Sequence, residues 1–171
     1  MNQAKASISF QQKMINPFFF RLFLFLKLPM AFLAGLKLKE LSDAHAVVRM
    51  KYKYLNKNPF GSIYFACLSM AGELASGMLA ASIAYKSNPK LSMLVVGVKI
   101  NFTKKAVGTI IFECNQGKEI LATIQKSIDT DNSVSDDPKN KQKSVFSLDA
   151  MLEQKIEIIV VKLVQWKIII E

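Results

Sequence analysis

Between residues 60 and 85 the chain carries one charged side chain, Glu73. The rest is rich in Ala, Leu, Met and Ser and holds no proline, so the stretch predicts one long helix. A helix without a polar stripe has no face to turn to water and needs cover on nearly every side. A curved sheet covers one side, and a second subunit would cover what the sheet leaves. The lone carboxylate is then the anomaly. Buried alone it is costly, so it must be paired, hydrated or protonated.

The flanking segments supply the sheet. Residues 36–41, LKLKEL, alternate apolar and charged as a half-buried strand does. Residues 44–55 continue the pattern, with Val48, Met50, Tyr52 and Tyr54 on one face, and Ser42-Asp43 forms the turn of a hairpin. NKNP, 56–59, reads as a loop, and KSNPK, 86–90, ends the long helix. Residues 92–103 and 109–115 read as strands around a KKAVG turn. Residues 117–128 place Ile120, Ile124 and Ile128 at steps of four, which predicts a short amphipathic helix, with a strand as the alternative. Residues 129–143 are polar and read as a mobile loop. Residues 144–152 and 155–170 close the chain as one or two strands. There is no internal repeat.

A length of 171 residues, with twelve Phe, eight Met and one Trp, suffices for one domain with a real core. The formal charge of +10 favours anionic partners: nucleic acid, a membrane surface or a phosphorylated small molecule. The lysines are scattered and the only arginines are Arg21 and Arg49, which argues against nucleic-acid readout, where arginine forks dominate. Cys67 and Cys114 are isolated and His45 is the lone histidine, so no familiar spacing makes a structural metal site. A reducing, cytoplasmic setting is expected, with a disulfide between the two cysteines left open. Gly-rich phosphate loops are absent.

Residues 16–39, NPFFFRLFLFLKLPMAFLAGLKLK, look at first like a membrane segment. Arg21, Lys27 and Pro29 interrupt it, and its longest uncharged run falls well short of the roughly 20 residues needed to span a bilayer. Two interior cations also argue against a secretory signal. The readings that remain are a helix packed on the domain or on a partner subunit, a peripheral membrane helix, and, least favoured, a span or signal. Pro29 should break or kink it. The chain thus divides into an apolar helical segment, 1–34, and a domain, 35–171.

The stretch NPFGSIYFACLSMAGELASG, 58–77, resembles a motif of the hot-dog fold, in which a curved antiparallel sheet wraps one long helix in the order β-β-α-β-β-β. In its phenylacetyl-CoA-type thioesterases a loop asparagine precedes a glycine, then a His-Gly-Gly element, then a helix bearing an acid. Asn58, Gly61 and Glu73 match in spacing, while Tyr64-Phe65-Ala66 stand where His-Gly-Gly would be. That departure, and the later VKINFTKKAVGTIIFEC, are similar to an uncharacterised thioesterase-like branch of the superfamily. The resemblance spans residues 33–170. It implies an α+β hot-dog domain that pairs into homodimers or dimers of dimers, with acyl-thioester sites at the subunit boundary. A CoA thioester is then the substrate, and no cofactor or metal is implied. A dehydratase, also on this fold, needs a histidine before the helix, and residues 56–66 hold none.

Thioester hydrolysis needs an activated water or an attacking carboxylate, and N–H donors for the developing oxyanion. Glu73, its pKa raised by apolar surroundings, suits the base or nucleophile. By the resemblance Asn58 orients water or carbonyl. Amides near Tyr64 and Phe65 at the helix start supply the donors, and Gly61, Ser69 and Ser76 complete the substrate contacts. Ser69 and Ser76 lie at i−4 and i+3 from Glu73, on roughly its face. Phe60, Tyr64, Phe65 and Met70 form an apolar lining for an acyl group. Lys57, Lys86, Lys104 and Lys105 are candidates for the CoA phosphates, or plain solvated surface. Each residue has a structural alternative. Glu73 could bond a backbone group or a partner residue, Asn58 could serve only as the turn before Pro59, and the two serines could permit close helix packing. Cys67 is expected as a core residue and His45 as a strand residue. The rival functions are a non-catalytic binder of an acyl or other hydrophobic ligand, and a peripheral membrane protein using the N-terminal segment.

Overall fold

The computed structural model describes residues 3–85, 91–98, 100, 102, 104–133, 144–153 and 159–170. Three helices come first: α1, Gln3–Ile15; α2, Pro17–Lys27; and α3, Pro29–Ala34. Asn16 starts α2: its Oδ1 accepts from the N–H of Phe18 at 3.0 Å, and Pro17 takes the first helical position, where no N–H is needed. Pro29 separates α2 from α3, as its ring predicts. Residues 1–15 carry no strong pattern, and α1 is held partly by polar groups. Gln11 donates to Asp43 and to Ser82 Oγ, while Ser7 donates to Asp43. These bonds tie α1 to the turn at Ser42-Asp43 and to the long helix that carries Ser82.

Strands β1, Lys37–Leu41, and β2, Ala46–Lys51, form the expected hairpin. A bulge between Leu38 and Glu40 interrupts the strict alternation, so Leu38 and Leu41 are both buried while Glu40 stays outside. The predicted strand through Tyr54 is shorter than expected. After Lys51 the side chain of Asn56 bonds Lys51 O and Lys53 N, folding the chain into a 3-10 turn, Tyr54–Asn56, which leaves Tyr54 79% exposed.

The long helix is α4, Phe65–Ala84; residues 60–63 belong to the loop before it. Strands β3, Leu91–Val98, and β4, Thr109–Cys114, follow, then helix α5, Gly117–Ser133, and strands β5, Ser144–Glu153, and β6, Ile159–Ile170. The helical reading of 117–128 holds, and α5 takes in the first residues of the polar stretch; 134–143 lie outside the described residues. The two closing segments are separate strands. α5, between β4 and β5, is an addition to the β-β-α-β-β-β order.

The sheet is antiparallel, in the order β1-β2-β4-β5-β6-β3. α4 touches β1, β2, β4, β5 and β6. A helix about 10 Å across reaches that many strands, set about 4.8 Å apart, only if the sheet curves around it. Val48, Met50, Ile110 and Phe112 fill the concave side, and Ala71, Ala75 and Leu79 meet them from α4. Ile120 and Ile124 of α5 close that core. α1 and α3 also pack against α4.

Candidate functional site

The loop 58–63 is organised by Asn58. Its Oδ1 accepts from the N–H groups of Phe60 (3.0 Å) and Ser62 (3.1 Å), and its Nδ2 donates to Ser62 Oγ (2.9 Å) and Ile63 O (3.5 Å). The amide that the resemblance assigns to the substrate is thus engaged in its own loop. Gly61 closes the turn at φ +71, in the left-handed region that side chains avoid. Asn56, which the sequence reading passed over, is the buried asparagine, 1% exposed. It bonds Ala34 O, Lys51 O and Lys53 N, and its carbonyl accepts the N–H of Tyr64. Two asparagines in NKNP look alike locally; only the approach of α3 tells which is inside.

These bonds aim the start of α4. Tyr64 N–H is committed to Asn56, so the amides left without an acceptor among the described residues are those of Phe65 and Ala66. They lie one position along from the pair expected. Beside them is an open cleft of about 300 Å³. Asn58, Phe60, Tyr64, Phe65 and Phe102 wall it, with Lys104 and Lys105 at its side. Phe102 was not anticipated; its ring lies 6.5 Å from that of Phe65. Lys57 sits instead over the Tyr54 ring at 4.2 Å, and Lys86 lies outside the described residues.

Glu73 lies in a second cleft, of about 200 Å³, between α4 and the α2–α3 break. Leu28, Pro29, Met30, Met70 and Leu74 are its apolar wall, and Lys27 stands at its edge. The carboxylate is half-buried, and burial raises its pKa. Among the described residues no hydrogen bond or ion pair meets it. Such a carboxylate is a stronger base than an exposed one and is free to hold water or a ligand.

The serines do not join it. Ser69 Oγ donates to Phe65 O at 2.9 Å, and buried Ser76 Oγ to Glu73 O at 3.0 Å, so both hydroxyls are spent on their own helix rather than on the carboxylate. Cys67 and Cys114 are buried and form no disulfide with each other, and burial raises the Cys67 pKa, which keeps that thiol inert. His45 lies in the turn before β2 rather than in a strand, with Nε2 3.1 Å from Glu40 Oε2. Met70 lines the Glu73 cleft, while Phe60, Tyr64 and Phe65 line the other. The two clefts share no residue. Phe65 and Glu73 are about 12 Å apart along the helix axis.

A curved antiparallel sheet around one long apolar helix is the hot-dog fold. A Pseudomonas aeruginosa protein of unknown function, described as a probable thioesterase, superposes with a TM-score of 0.70 at 18% identity, over 91% of this chain and 97% of that one. A Chlorobaculum tepidum protein of unknown function reaches 0.68 at 16% identity, over 99% and 97%. A Haemophilus influenzae thioesterase reaches 0.62 at 9% identity, over 87% and 88%. The chain belongs to the family DUF4442, a domain of unknown function, which matches residues 18–155. No curated protein matches it.

Proposed function

We propose that this chain hydrolyses an acyl thioester, acyl-CoA first among them, with Glu73 as the base. Water held by the carboxylate attacks the thioester carbonyl and gives its proton to Glu73. The carbon–sulfur bond then breaks, and the thiolate leaves with that proton as the acid is released. Direct attack by Glu73 through an anhydride, later opened by water, reaches the same products. The observation that carries the reading is the unpaired, half-buried carboxylate at an apolar cleft, on the helix of a thioesterase-like fold.

The separation of the two clefts favours action as a dimer. A second copy, laid antiparallel, would bring its Phe65 and Ala66 amides to this Glu73 as oxyanion donors. Lys104 and Lys105 beside those amides suit the phosphates of CoA. Asn58 is then a positioning residue that shapes the loop.

A non-catalytic acyl-ligand binder is the second reading, favoured by the missing His-Gly-Gly element and by the engaged Asn58 amide. Hydrolysis of an acyl-CoA panel by wild type and Glu73→Gln decides between them. Equal rates would remove Glu73 from the chemistry, and ligand binding without turnover would establish the binder.

A further inference from the structure

We propose that the outer face of α2 and α3 docks on an anionic lipid bilayer. α2 is apolar on two sides. Phe20 and Leu24 point into the core, while Phe18, Phe19, Leu22, Phe25 and Leu26 occupy an arc of about 120° that turns outward. Met30 of α3 extends that face, and Phe18, Leu26 and Met30 are 71%, 64% and 64% exposed. Isolated exposed apolar side chains are ordinary; a contiguous set of this kind marks a contact surface.

Charge selects the occupant. Residues 1–39 carry Lys5, Lys13, Arg21, Lys27, Lys37 and Lys39 and no Asp or Glu. Lys13 lies 5.6 Å from the Phe19 ring centroid and Arg21 5.0 Å from that of Phe32, so cations border the aromatic face itself. Apolar side chains flanked by cations, on helices too short to span, fit the headgroup boundary of an anionic membrane. A second copy fits poorly. A symmetric pairing through this face would set one acid-free, cationic surface against another.

The face also borders the Glu73 cleft. Met30 belongs to both, and exposed Leu28 joins α2 to α3 at the cleft wall, so the cleft opens where the bilayer would lie. An acyl chain leaving the lipid would meet that opening without crossing bulk water. Docking itself needs no catalysis, and its failure leaves the hydrolase reading untouched.

The test is co-sedimentation of the full chain with phosphatidylcholine vesicles, with and without phosphatidylglycerol. Binding is expected with the anionic lipid, weakening as salt rises. Arg21→Gln with Lys27→Gln should lower it by about fivefold per cation, and Phe25→Ser with Met30→Ser by about tenfold or more. These side chains are exposed, and unchanged circular dichroism and Tm would show that the variants fold. No binding to anionic vesicles, or binding unchanged in the Phe25/Met30 variant, overturns the proposal. So does a variant that dissociates a dimer and leaves vesicle binding intact, since the face would then belong to a copy-to-copy interface.

Discussion

Asn56 Nδ2 donates to the carbonyl of Ala34 at 3.0 Å, 22 residues away in the chain. The bond joins the end of the N-terminal helices to the turn that sets the start of α4. One buried amide thus holds the end of α3 and the site loop in register.

Replacing the buried Asn56 by Ala leaves Ala34 O, Lys51 O and Lys53 N without this partner. The expected loss is about 2–4 kcal/mol of stability. Asn58→Ala, in a more open loop, should cost about 1 kcal/mol. Urea unfolding checks both, as a shift in midpoint at unchanged slope.

If Glu73 is the base, Glu73→Gln lowers thioester turnover by about 10²–10⁴-fold. Turnover by the wild type should also fall as pH drops through the raised pKa, so that the loss begins above the ordinary carboxylate range. A pH–rate profile of kcat/KM reads that limb directly.

The same carboxylate affects stability with the opposite preference. Its folded pKa is raised, so the folded state holds the proton more tightly than the unfolded chain. The stabilisation is full below the unfolded pKa and is lost as pH rises through the folded pKa. Glu73→Gln should therefore be more stable than wild type at neutral pH, with the gap closing in acid. Thermal unfolding of both proteins at two pH values measures it, and a gap that widened in acid would contradict the burial of this group.

Gly117 begins α5 hard against the hairpin turn. Its N–H donates to Ala44 O at 3.1 Å, and an added Cβ would lie 2.0 Å from Asp43 O. The atoms it would meet are the backbone of Asp43 and Ala44, not the end of a flexible side chain, so Gly117→Ala should cost about 3 kcal/mol through displacement of α5, seen as a lowered Tm.

Much of this was legible locally. Apolarity without a polar stripe marks α4 as the buried helix, Pro29 marks the break between α2 and α3, and the four-residue steps of Ile120 and Ile124 mark α5. Matching of Asn58, Gly61 and Glu73 in spacing brought the hot-dog fold into view. Other features lay beyond pattern. Tyr54 alternates correctly with Val48 and Met50, yet a side-chain amide two residues on pulls it off the strand. Ser69 and Ser76 lie on the right helical face for Glu73, but a serine hydroxyl in a helix finds the carbonyl of the previous turn first.

Period and hydrophobicity are carried by neighbours in the chain, and from these alone follow most of the helices and strands, and the need of α4 for cover all round. Partnership is decided at long range. Ser7, Gln11 and Ser82 are buried because α1 comes down on α4 and the hairpin turn, and Asn56 because α3 ends beside it. Whether Glu73 would be sealed or open likewise depended on where the α2–α3 break came to rest, and folding set it beside the acid, leaving a cleft there.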